Sequence, residues 1–214
     1  STYPEKGRAY PFEGDFKAGD MPKTGEMKTE IMGVAVFDGD KMVGELDGEE
    51  TSYYLMVSGE YNNSYITVPD PLYKDEFVLL YIKERRNPER KLKMIGGIPY
   101  ADVEVNLEGD IISIQSGMNY ENPANIRILE EAVEEFLSKE ILKFLQKTAK
   151  EYGVDICSLG ESIRTRFLIW NDWEKFNWLD RYKDTKFHVD VTFKIRRTGL
   201  ILRTNPARST EGSR

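Results

Sequence analysis

The sequence is poor in the residues that most often mark a chemical site. It has one cysteine, Cys157, and one histidine, His188. A single thiol excludes an internal disulfide framework and a cysteine-rich zinc site. No apolar run approaches the ~20 residues needed for a membrane-spanning helix. The opening STYPEKGRAYPFEG has neither the apolar stretch nor the cleavage site of a secretory signal. Basic residues are outnumbered 30 to 37, for a net charge of −7. Nucleic-acid binders usually carry the opposite balance, so no nucleic-acid partner is expected. G-x-S-x-G, G-x-G-x-x-G and the P-loop are also missing.

What is present reads as a folded α+β chain. A hydrophobic fraction of 40% and a charged fraction of 31% over 214 residues suit a globular domain with its own core. Residues 1–24, rich in Pro, Gly and Lys with unperiodic aromatics, read as a linker or extended arm. Residues 25–204 read as one domain and 205–214 as a tail. IMGVAVF, KMVGEL and SYYLMVSG are short apolar runs punctuated by DGD and DGEE, which predicts strands joined by tight turns. EFVLLYIK, apolar on both faces, predicts a central strand. In IPYADVEVNL, Ala101, Val103, Val105 and Leu107 alternate with Asp102, Glu104 and Asn106, and EGD then predicts a turn into IISIQS.

A long helix is expected over about residues 123–152. Asn122 suits its N-cap, Pro123 its first position and Gly153 its stop. Ile126, Leu129, Val133, Phe136, Leu137, Ile141, Phe144 and Leu145 form its core stripe, and its glutamates precede its lysines in the order that suits the helix dipole. Ser158 with Glu161, and Asn171 with Glu174, predict capping boxes for short additional helices. Along FHVDVTFKIRR, Phe187, Val189, Val191, Phe193 and Ile195 should face inward. The order implies a mainly antiparallel β-sheet packed against one long helix.

Candidate sites are few. FDGDKMVGELDGEE has the look of a calcium loop, with Asp38, Asp40 and Glu49 at ligand positions of a twelve-residue frame. Met42 and Val43 stand where a ligand and the turn glycine are required, so two tight turns fit better. His188 reads as a solvated strand residue and Cys157 as a small buried hydrophobe. No pair of carboxylates stands out as an acid/base couple. Trp170, Trp173, Trp178 and Tyr182 read either as core packing or as a stacking wall for a small ligand or partner. Lys194, Arg196, Arg197, Arg203, Arg208 and Arg214 make the C-terminal end basic, a polarity suited to an anionic membrane or to a solvated tail. No catalytic, cofactor-binding or metal-binding residues are expected.

Two blocks resemble a known family. Gly33, Ala35, Val36, Phe37, Asp40, Lys41, Val43, Gly44, Leu46, Glu49 and Glu50 follow in order the segment opening the C-terminal domain of spore germinant receptor C subunits, the Ger(x)C lipoproteins. Tyr152, Gly153, Asp155, Gly160, Trp173, Trp178, Arg196 and Gly199 resemble the family's second block, over a likeness running from about Met27 to Ile201. Cys157 and the run Leu168–Ile169 depart from it, where the family often has an aromatic and a proline. The resemblance implies a non-enzymatic accessory subunit of a nutrient germinant receptor, needed for assembly and signalling in spore germination. It implies integral-membrane A and B subunits as partners. It also implies an N-terminal lipid anchor, absent from this chain, on the outer face of the spore inner membrane. The chain is accordingly expected to be the C-terminal part of a longer protein. The alternative is direct germinant binding by the aromatic cluster; an acid-pair hydrolase ranks last.

Overall fold

The computed structural model describes residues 33–164 and 167–197. The arm and the tail lie outside that range, as do Arg203, Arg208 and Arg214. A hairpin opens the fold, β1 (Val34–Asp38) with β2 (Lys41–Leu46), reversing at Gly39, whose φ of 63° suits the tight turn. The expected DGD turn is therefore present, and Met42 and Val43 are strand residues.

DGEE is not a second turn. Asp47 caps helix α1 (Gly48–Ser58): its side chain accepts from the Glu50 N–H at 2.8 Å, and the Glu50 carboxylate accepts in return from the Asp47 N–H at 3.3 Å. SYYLMVSG, expected as a strand, is the body of this helix. An unbroken apolar run does not distinguish helix from strand, and the reciprocal cap decides in favour of helix. Tyr53, Met56 and Val57 then fall on one buried face.

The main sheet has the order β3 (Asn63–Pro69), β4 (Phe77–Ile95), β5 (Ile98–Ile114), β6 (Lys186–Arg197). The first three pair antiparallel, and β6 joins β5 in parallel. β4 is central, as expected from EFVLLYIK. It returns into β5 through Gly96 and Gly97, both at positive φ. The EGD turn does not exist, because β5 runs straight through it. Gly109 is needed there for a close approach: a Cβ at this position would lie 2.4 Å from the Tyr81 carbonyl oxygen. Val78, Leu80, Ile82, Val103, Val105, Leu107 and Ile111 are buried on the inner face.

Helix α2 (Pro123–Lys147) covers that face, with Leu129, Val133, Leu137, Ile141 and Leu145 fully buried. Asn122 caps it as expected, accepting from the Ala124 N–H at 3.0 Å. Two of its glutamates have a more specific task than complementing the dipole. Glu134 accepts from the Phe193 N–H and Glu130 from the Ile195 N–H, each at 2.8 Å. Among the described residues β6 is an edge strand, and these carboxylates satisfy backbone donors that no further strand there pairs. The remaining helices are short: α3 (Glu161–Arg164), α4 (Trp170–Phe176) and α5 (Trp178–Tyr182). Neither expected capping box forms there. Ser158 sits at φ 55° and bonds Glu161 only through its backbone, and α4 already starts at Trp170, ahead of Asn171.

Candidate functional site

The exit from α2 gathers most of the sequence's distinctive residues. The helix does not end cleanly but widens into a π-helical turn, Thr148–Tyr152, closed by Gly153 at φ 68°. That turn places the Tyr152 ring on Gly44 of the hairpin. A Cβ on Gly44 would lie 2.3 Å from the ring, so glycine is what lets the two approach. The Tyr152 hydroxyl donates to the Glu45 carbonyl at 3.0 Å. Lys147 lies 5.4 Å from the ring centroid and pairs with Glu50 at 2.6 Å. Partial burial works against the Lys147 charge, but Glu50 and Tyr152 more than offset it and raise its pKa.

A second fastening follows. Asp155 accepts from the N–H groups of Leu159 and Gly160 at 2.9 and 2.7 Å, and from the Trp178 indole at 2.8 Å. Burial nevertheless pushes its carboxyl above the usual range, against the pull of those donors. The Trp178 indole rests on Gly160, where a Cβ would come within 2.4 Å of Nε1. Arg90 on β4 donates to the Cys157 carbonyl at 2.9 Å and ties this loop to the sheet.

Of the four aromatic candidates, two are turned into the core. Trp178 is 7% exposed and Tyr182 fully buried, its hydroxyl 2.7 Å from Thr148 Oγ1. Trp173, half-buried, stacks on Phe176 with centroids 5.8 Å apart and meets Phe167 edge-on. The side chain of Trp170 lies outside the described set. Indole and phenol groups that seat polar tips on buried partners are structural anchors.

The reactive residues also stand apart. The Cys157 thiol is buried, which pushes its pKa up and disfavours the nucleophilic thiolate. His188 is exposed on the outer sheet face, with Nδ1 3.9 Å from Asp102. Of the basic C-terminal run, Lys194 is tied to Glu130 at 2.9 Å and Arg196 to Glu108 at 2.8 Å.

A cleft of about 640 Å³ opens beside the α2 exit. Its walls are the β4–β5 turn, Lys150 of the π-helical turn, the junction of α4 and α5, and the loop into β6. Sequence reading missed it because its residues come from four segments that no local pattern connects. A smaller concavity of about 190 Å³ lies between α1 and β3, beside Tyr53, Met56, Tyr65 and Ile66. Among the described residues, no group of three or more His, Cys, Asp or Glu side chains is arranged to hold a metal ion. No helix among them is long and apolar enough to cross a membrane.

With this geometry established, three comparisons bear on the chain. The family model described as spore germination B3/GerAC like, C-terminal, matches residues 32–199. Spore germination protein B3 of Bacillus subtilis (strain 168) is 24% identical over 180 residues, 83% of this chain and 46% of that protein. Spore germination protein GerQC of Bacillus cereus is 21% identical over 173 residues, 80% of this chain and 46% of that protein. The chain thus spans about half the length of the curated relatives it matches. The crystal structure of the GerBC protein superposes with a TM-score of 0.62 at 23% identity, covering 73% of this chain and 48% of that one. That likeness establishes the shared α+β fold.

Proposed function

This chain belongs to the spore germination B3/GerAC-like C-terminal family, and from that membership we propose that it is a non-enzymatic accessory module of a nutrient germinant receptor. It acts in receptor assembly and signalling, with integral-membrane A and B subunits as partners. The longer protein is held by an N-terminal lipid anchor at the outer face of the spore inner membrane. One observation carries this reading. Gly44 with Tyr152, and Asp155 with Gly160 and Trp178, are among the residues through which the chain resembles the family, and they meet each other. They are spent on fastening the hairpin and the loop after α2 to the body. A module whose distinctive residues secure its shape suits a role in presenting a surface to partners.

The reading is tested in spores carrying the full-length subunit. Removing this segment should abolish the response to that receptor's germinant while other receptors still respond, scored by dipicolinic acid release. Normal germination with the segment deleted would overturn the proposal. A tagged intact subunit should also recover its A and B partners from detergent-solubilised membranes, and the deleted form should not.

A further inference from the structure

We propose that the cleft beside the α2 exit is a binding site for a small oxyanion, a ligand carrying a phosphate or carboxylate group. This inference stands independently of the receptor role. In a chain of net charge −7, five cations line the cleft, Lys150, Lys175, Arg181, Lys183 and Lys186, against two carboxylates, Asp180 and Asp184. One of these carboxylates is already engaged, because Asp180 accepts from the Asn177 side-chain amide. No carboxylate among the described residues lies within ion-pair distance of Lys150, Lys175, Lys183 or Lys186. Excess positive charge gathered in a concavity concentrates anions more strongly than the same charge spread over a convex surface.

One of the cations is held in place before any ligand arrives, and a second lies along the glycine that closes the π-helical turn. Arg181 donates from Nε to the Phe176 carbonyl at 2.8 Å, and its guanidinium lies 4.8 Å from the Phe176 ring centroid. That fixes the plane of the fork, and the terminal nitrogens, the pair suited to bidentate oxyanion contact, have no acceptor among the described residues. Lys183 runs its stem across Gly153, where a Cβ would come within 3.1 Å of its Cε. The glycine that closes the π-helical turn therefore also makes room for a cleft lysine. Thr185, 8% exposed, is a third lining residue of note. Its hydroxyl is buried without a hydrogen-bond partner, which is unusual for a native interior. Ile98 and Pro99 add apolar lining, and a volume near 640 Å³ falls within the ~300–1,000 Å³ typical of small-ligand sites.

Phosphate chemistry reaches such a cleft either free in solution or on a lipid headgroup, and the test separates the two. The 214-residue chain is titrated with inorganic phosphate at constant ionic strength, with chloride as the control, and followed by amide NMR. A parallel arm measures cosedimentation with phosphatidylglycerol vesicles against phosphatidylcholine vesicles. Saturable shifts at Gly97, Asn177 and Thr185 are expected, weakened at least tenfold in Arg181→Ala/Lys183→Ala. Thr185→Val should weaken them in a chain whose spectrum otherwise stays native. Selective, Arg181-dependent binding to phosphatidylglycerol vesicles alone would assign the same site to a headgroup phosphate. Absence of saturable shifts together with absence of vesicle binding overturns the proposal. So does binding of either kind that the double variant leaves unchanged.

Discussion

On the outer face of the sheet, Glu108 stands between Lys83 at 3.0 Å and Arg196 at 2.8 Å. Along the same face Arg86 meets Glu104 at 2.6 Å, and Lys93 meets Asp102 at 3.0 Å. In the cleft, by contrast, the same residue types stand together with most of one sign unanswered. Both regions are exposed and both would look alike in a count of charges. On the sheet, opposite charges face each other across neighbouring strands, a pattern that secures register and leaves little field. In the cleft the charges converge from separate segments and leave a net positive field. Paired charge here belongs to the architecture, and unpaired charge points to a ligand.

Three measurements break or sharpen that contrast. The largest effect should come from Asp155→Ala, which leaves the Leu159 and Gly160 N–H groups and the Trp178 indole without their acceptor. Charged hydrogen bonds of this kind imply a loss of about 3 kcal/mol in chemical denaturation. A loss under about 1 kcal/mol would mean that the loop does not depend on its central carboxylate.

Glu108→Gln should cost less, about 0.5 kcal/mol, and the cost should vanish in high salt, as for other exposed pairs. The pH dependence has a definite sign. Lys83 and Arg196 hold the Glu108 carboxyl below its ordinary range. Its contribution is therefore present above the unfolded-state pKa and lost as pH falls through the lower folded-state value. Asp155 is shifted the other way, so burial adds a desolvation penalty that is absent below its unfolded pKa and grows as pH rises to its folded one, while the ionised carboxylate keeps its three donors. Denaturation curves across the acid range should show parent and Glu108→Gln converging at the low end. Curves that stay parallel would remove Glu108 from the stabilising set.

The smallest effect on folding should come from Lys183→Gln. With no carboxylate partner among the described residues to lose, stability should change by less than about 0.5 kcal/mol, with relief of like-charge repulsion favouring a slight gain. The same substitution should shrink the rise in melting temperature that added phosphate gives the parent. A large destabilisation would place Lys183 in the architecture after all.

Much of the architecture was legible because periodicity reports burial directly. The alternation of Phe187, Val189, Val191, Phe193 and Ile195 and the stripe along α2 both land where the pattern predicts. The errors arise where one local signal has two physical causes. A glycine between acidic residues marks a true turn at Gly39 but a close approach at Gly109. DGEE looks like a hairpin turn because capping residues and turn residues are the same types. The tryptophans were visible, but whether an aromatic is a wall or an anchor depends on what covers it. For Trp178 that cover is Asp155 and Gly160. The cleft was illegible for a plainer reason: residues from Gly97 to Lys186 meet only after the chain has folded.

The carboxylates that α2 sends to β6 have one more consequence. A sheet with two bare edges can be extended by copies of itself without limit, each new strand leaving another bare edge behind. At Phe193 and Ile195 the donors an incoming strand would need are already taken by Glu134 and Glu130. Strand addition along the C-terminal half of β6 is therefore disfavoured, which leaves β3 as the open edge among the described residues. Two acidic side chains thus work against fibre growth through this edge.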